Sequence, residues 1–413
     1  MGDMQGHDVE LDVTSIAHGG ISVARLDGRV VFVTDAIPGE KVVARITDDR
    51  KKSFWRADTV SVLEPSEHRQ AHVWSAASID RDPARRAGGA EFGHIELSHQ
   101  RELKRQVLVD ALTRMGKVDE ETTKGITVEA LDGDDDLSGT RWRTRIRLHV
   151  DEAGRPGPYA ARSHTVVAVD DLPLATEAVE AAAPLEQLFA GEEQIDVLAP
   201  SDGGARLIVG SQARTTVVER VGDREFRLDD GGFWQVHRLA AGTLTAAVQD
   251  LIDPERFDPR AMNLDLYGGV GLLAAAVGDR FGQATRITSV ESDTRATDHA
   301  AENLAEWIGA AAVTGRVERW ITELATTSSP GERQRLRDAT VVLDPPRSGA
   351  GREVVERIAS IEPAQIVYVA CDPVALARDI ALFAERGYQL QDLRAFDLFP
   401  NTHHLETVVR LSR

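Results

Sequence analysis

Cys371 is the only cysteine in 413 residues, and it stands in the stretch QIVYVACDPVALARDI, where an apolar run gives way to Asp372-Pro373 and then to helical periodicity. A single thiol makes no internal disulfide, so its use is packing or chemistry. Its position favours chemistry: it ends a strand and precedes a helix N-terminus, where a thiolate is stabilised. The neighbouring Asp372 acts in the opposite sense. Glu406, in DLFPNTHHLETVVRLSR, opens the last strand pattern of the chain. An antiparallel last strand begins where its parallel neighbours end, so Glu406 is expected at the same edge as Cys371.

Three further features fall at strand ends, the edge where open α/β sheets bind ligands. In DLYGGVGLLAAA, Gly268, Gly269 and Gly271 form a tight strand-to-helix turn that lets backbone approach a ligand. Ala274 stands at the third position of a dinucleotide fingerprint, which disfavours a dinucleotide. Glu291, in SVESD, suits the two hydroxyls of a ribose, and together these point to an adenosine-type ligand. No P-loop lysine is present. In VVLDPPRSGAG, Asp344 ends an apolar strand, two prolines force a rigid extended exit, and Arg347 follows. His403 and His404 are adjacent on an extended chain and point to opposite sides, so no metal site is expected.

These residues need a sheet to hold them. Strand patterns at 262–267, 286–291, 340–344 and 365–371 are each followed by a helix pattern, at 271–280, 294–307, 351–360 and 374–386. That alternation predicts a parallel sheet with helices on both faces. Two final strands, 388–397 and 405–412, close it as a hairpin with the last strand antiparallel to its neighbour. Residues 9–63 read as short strands punctuated by Gly19-Gly20 and Asp27-Gly28, a small five-stranded barrel of the kind that binds oligonucleotides. The expected fold class is therefore α/β, with a small barrel at 1–64, a central α/β domain at 65–240 and a nucleotide-binding domain at 241–413. The central part includes an amphipathic helix, LSHQRELKRQVLVDALTRMGKV.

The net charge of −19 argues against a nucleic-acid partner at face value, but phosphate contacts depend on local patches. Lys51, Lys52 and Arg56 surround Phe54 and Trp55. In RWRTRIRLHV, Arg141, Arg143, Arg145 and Arg147 alternate with other residues, which at the strand period sets all four on one face, to meet RNA or to pair with local acids. One cysteine, an acidic start (MGDMQGHDVELDV) and no window near the ~20 apolar residues of a membrane span indicate a soluble, cytoplasmic protein with no membrane contact.

Taken together, HGGISVARLDGRVVFVTDAIPGEKV, FWQVH, DLYGGVG, VES, LDPPRSG, ACDP and FPNTHHLET resemble, in order, the RNA uracil-5-methyltransferases. The resemblance spans nearly the whole chain. It implies a TRAM RNA-binding barrel, a Rossmann-like class I methyltransferase domain and S-adenosylmethionine as methyl donor. It implies RNA as partner, with ribosomal (23S) RNA preferred because of the barrel and a thymine-loop uridine of transfer RNA as the alternative; a monomer is expected. By the same resemblance Cys371 is the nucleophile and Glu406 the general base. Gln235, Tyr267, Gly269, Gly271 and Glu291 match donor-binding positions, Asp344 lies between donor and substrate, and the arginine strand with Arg347 holds RNA. Many relatives carry an iron–sulfur cluster on four cysteines, two of them in C-G-G-C. Here Ala87 and Ala90 occupy those two positions, so no cluster is expected. Leu272 and His237 stand where Asn is usual in the family, and Asp372 replaces the Asn of S-C-N-P.

Overall fold

The computed structural model describes residues 4–413. The first three residues, part of the acidic start read above, lie outside these. Strands Asp8–Ala17, Ile21–Leu26, Arg29–Thr34, Lys41–Asp48 and Phe54–Glu64 close into a barrel, the last two exchanged in spatial order. Alternate residues such as Val31 and Val33, or Val42, Ala44 and Ile46, fill its interior. The Asp27-Gly28 turn has φ of 50° and 79°, the left-handed pair that matches a two-residue hairpin to the strand twist.

The largest sheet has eight strands, ordered Ala310–Thr314, Ile287–Glu291, Asn263–Leu266, Thr340–Leu343, Gln365–Ala370, Glu406–Ser412, Gln389–Phe396 and Val128–Glu129. The first five are parallel, and Glu406–Ser412 runs antiparallel to Gln365–Ala370. Period-two alternation sends Val341, Leu343, Ile366 and Tyr368 into one apolar cluster and Val342, Val367 and Val369 into the other. Helices cover both faces, as expected.

Several elements escaped the sequence reading, three of them in succession. Strand Ala310–Thr314 is AAAVT, and alanine is a poor strand former, so only its parallel pairing with Ile287–Glu291 reveals it. Helices Val317–Thr327 and Pro330–Arg337 follow it.

The row of four arginines does not form. Arg141 has φ of 61° and the strand begins only at Arg145, so the alternation is broken. Arg141 pairs with Glu180, Arg145 with Glu219 at 3.0 Å and Arg147 with Asp196 at 2.7 Å. Local acids have taken three of the four guanidinium groups.

The 65–240 stretch is not a unit apart. Helix Leu97–Arg114 sets Leu108, Ala111 and Leu112 into the same cluster as Leu264 and Val341, and Val128–Glu129 adds the eighth strand beside Gln389–Phe396. The segment AGGA lies in a separate core, where Ala87 and Ala90 pack with Trp74 and Trp142. Among the described residues no helix is long and apolar enough to cross a membrane.

Helix Leu97–Arg114 also buries Lys104, whose ammonium donates to Asp397 at 2.5 Å and to the Phe399 carbonyl at 3.0 Å. Both side chains of the pair are 1% exposed. Removing one partner of such a pair strands a charge, so Lys104→Ala should lower unfolding free energy by about 3–5 kcal/mol in denaturant titration. Lys104→Met combined with Asp397→Leu should recover most of that loss.

Candidate active site

A cavity of about 940 Å³ opens at the carboxyl ends of the parallel strands, in the size range of small-molecule sites. The register that pairs Ala370 with Thr407 brings Cys371 and Glu406, the next residues outward, to one edge. Asp344 follows the neighbouring strand, and all three line the cavity with Arg347. Glu406 is 4% exposed, and Cys371 is half-buried.

Burial pushes the Cys371 thiol up to about 12, with the Glu406 and Asp344 carboxyls adding to the rise and Arg347 opposing it. Burial also lifts Asp344 to about 7, assisted by Asp265, and Asp265 itself to about 7. Glu406 is held well above the carboxylate range by burial and then by Asp344. Expected thiolate stabilisation by the helix N-terminus is therefore outweighed, for a visible reason. The Asp372 carboxylate itself accepts the free N–H groups of Val374 and Ala375, at 3.0 and 2.8 Å. Burial likewise pushes His404 down to about 3, so its neutral Nε2 accepts from Arg347 at 3.4 Å.

At the other end of the cavity, Gly269 has φ of 53° and open space where a Cβ would stand. A Cβ on Gly268 would meet Ser289 Oγ at 1.9 Å. Glu291 accepts the Gly269 N–H at 3.2 Å and lies beside the turn it was expected to complement. Tyr267, with φ of 62°, also lines this end, as does Gln235 from the loop after strand Arg224–Asp229. A turn open to a ligand, with a carboxylate against it, fits an adenosine-containing group.

Gly271 is not part of the lining. It caps helix Leu272–Phe281 with φ of 89°, and a Cβ there would press on Leu304 at 3.1 Å. Arg143 reaches the cavity, whereas Arg141, Arg145 and Arg147 do not. Sequence reasoning missed Asp229, which accepts from Arg295 and from His299 at 3.0 Å, and also missed Glu318 beside the alanine-rich strand. The turn signal DDGG after Asp229 marked a strand end, but nothing showed that a hairpin of the preceding segment reaches this sheet. His237 is turned away into a buried pair with Asp134 at 2.9 Å.

The profile for "tRNA (Uracil-5-)-methyltransferase" matches residues 179–413, and that for the TRAM domain matches residues 2–54. The chain belongs to the tRNA (uracil-5-)-methyltransferase family. It is 35% identical to an RNA methyltransferase of Streptomyces avermitilis, over 98% of both chains. It is 36% identical to another from Streptomyces coelicolor, over 98% of this chain and 93% of that one. A solved structure, the Pyrococcus abyssi tRNA (uracil-54, C5)-methyltransferase in complex with S-adenosyl-L-homocysteine, shares the fold over 100% of both chains, with a TM-score of 0.67 at 19% identity. The protein is thus an RNA uracil-5-methyltransferase that uses S-adenosylmethionine, and the N-terminal barrel is its TRAM domain.

In this methyltransferase the TRAM barrel touches the active site directly. His18 Nε2 lies 2.7 Å from Asp372 Oδ2, one residue from the thiol, and a Cβ on Gly20 would strike His403 at 2.4 Å. Asp372 raises the His18 pKa through their hydrogen bond. Asp372 is lowered on balance: burial, the largest influence, raises it and is outweighed by the bonds from His18 and the helix N–H groups. The ion pair therefore persists above the acidic range and is lost as pH rises through the elevated His18 value. Hydrogen exchange across residues 17–21 should quicken as pH rises through that value, beyond the intrinsic increase. In His18→Gln the excess should vanish.

Proposed function

We propose that Cys371 and Glu406 carry out methylation of uridine C5 in structured RNA through a covalent intermediate. The observation that supports this most is that the lone thiol, Glu406 and Asp344 line one cavity together with the glycine turn and Glu291. Gln235, Tyr267, Gly269, Glu291 and Asp344 are the residues that would hold the methyl donor. When bound, S-adenosylmethionine supplies the electrophilic methyl group that uracil C5 accepts.

Uracil C5 is a weak nucleophile on its own. Addition of the Cys371 thiolate to C6 breaks the C5–C6 double bond and moves its electron pair into an enolate, whose C5 is then electron-rich enough to be alkylated. After methylation, Glu406 removes the C5 proton, the double bond re-forms and the thiolate leaves C6. A uridine in a stem must leave its stack to reach the thiol. Ribosomal RNA, specifically 23S RNA, is the preferred target because the chain carries a TRAM domain. A thymine-loop uridine of transfer RNA is the competing target. Mass-spectrometric maps of 5-methyluridine in ribosomal and transfer RNA, with and without the gene, decide between them.

Glu406→Gln should reduce product formation roughly 10²–10⁴-fold and accumulate an RNA adduct that survives denaturant. Cys371→Ala should give neither adduct nor product, and an adduct in that variant would overturn the nucleophile assignment. The pH profile follows from the two raised groups. Below its pKa the thiol is protonated, and each pH unit upward yields about tenfold more thiolate. Release of the methylated product also needs Glu406 ionised, so single-turnover formation of free product should climb from about pH 6 to about pH 9.

A further inference from the structure

We infer that a second cavity beside the active site is a nucleotide subsite, taking the base of a nucleotide next to the target uridine in the same RNA strand. This rests on the reading of the protein as acting on uridine within RNA.

The cavity measures about 360 Å³ and is walled by strand Arg145–Val150 and by segments 158–163 and 172–175. It shares Gly89, Glu91 and Arg143 with the active-site cavity, so the two lie on either side of one wall. An occupant of one is within a chain linkage of an occupant of the other.

Arg143 marks what belongs there. Of the four arginines in RWRTRIRLHV it is the one without a carboxylate partner among the described residues. Its Nε donates to the Arg145 carbonyl at 2.9 Å, and its guanidinium lies 5.8 Å from the Trp142 ring centre. Burial lowers its pKa, which measures the cost of holding this charge away from water. A residue that borders both cavities can donate to the phosphodiester joining a nucleotide in each. Glu91 offers the complementary acceptor. Its Oε1 takes the Gly89 N–H at 3.2 Å, while Oε2 is buried without a hydrogen bond and 3.7 Å from His403 Nδ1.

The wall opposite is aromatic. Tyr159 stacks on His149 with ring centres 3.5 Å apart and planes 8° apart, and meets the edge of His164 at 5.2 Å. Splayed bases of single-stranded RNA are held by such rings together with arginine planes. Arg162 at the rim is bound to Asp58 at 2.5 Å, which ties the cavity to the TRAM strand Phe54–Glu64. That strand carries Phe54 beneath Lys51 at 4.8 Å and Arg56 at 5.8 Å. A strand of RNA lying between barrel and thiol would pass this opening.

The test uses the full chain and total cellular RNA. Ultraviolet crosslinking followed by peptide mass spectrometry should find nucleotide adducts on the segment containing Tyr159. Ala161→Trp, which fills the cavity without touching the active-site lining, should abolish those adducts and leave adducts on the barrel. Loss of a stacked base weakens binding roughly 5- to 150-fold. Ala161→Trp should therefore raise KM for RNA within that range, with binding of S-adenosylhomocysteine unchanged, and Arg143→Ala should raise KM for RNA as well. Parental KM in Ala161→Trp, or adducts elsewhere but none on the 158–163 segment, overturns the subsite. The broader reading fails separately, if the parent protein makes no 5-methyluridine.

Discussion

Everything in the active site depends on the direction of the final strand. Five parallel strands end at one edge, and loops from them can supply an acid, a thiol and a glycine turn. A group that enters from the far end of the chain needs a strand that starts at that edge. Glu406–Ser412 does so because it runs antiparallel to Gln365–Ala370, in a register that sets Thr407 against Ala370. A slip of one residue would carry Glu406, and the apolar Val408 on the same face, to the other side of the sheet. The fully buried alternation of Val408, Val409 and Leu411 between two apolar clusters makes such a slip costly, so packing far from the chemistry secures the carboxylate.

The same burial that secures the residues sets their resting protonation. Cys371, Asp344, Asp265 and Glu406 are all pushed toward the neutral form by loss of water. Several anions crowded together in a dry pocket would repel one another, and protonation is how the fold tolerates them. Arg347 is the cation that opposes this at both the thiol and Glu406. The site at rest is consequently biased toward protonation: a thiol held up to about 12 beside carboxyls that are all raised above their ordinary range.

Much of this was legible in the residues. The barrel, the parallel strands and the terminal hairpin followed from period-two alternation and turn residues, because each strand is bounded by glycine, proline or aspartate. What failed was local pattern where tertiary contacts decide. The arginine stretch looked like one strand face, but Arg141 takes a left-handed conformation and three carboxylates distant in sequence draw the guanidinium groups apart. Strand Ala310–Thr314 carries no strand signal beyond its sheet neighbour. The thiol at a helix start looked activated, yet Asp372 occupies the helix N–H groups and desolvation dominates. Cys371 and Glu406 were singled out because a lone thiol stood at a strand end and the last strand was expected to begin at that same edge, and both line the cavity. Gly271 shows what a sequence leaves out, because a glycine pressed against Leu304 and one open to a ligand look alike on paper.

The contact between Gly20 and the His403 side chain bears on how freely such proteins can be recombined. The barrel is seated on the catalytic loop through a position where even a methyl group would collide with His403 and Phe92. A foreign barrel spliced onto this enzyme would need a bare α-carbon at that turn, and a histidine two residues earlier to meet Asp372. The two parts are therefore not interchangeable cassettes. Their shared seam has to be inherited, or engineered, as one piece.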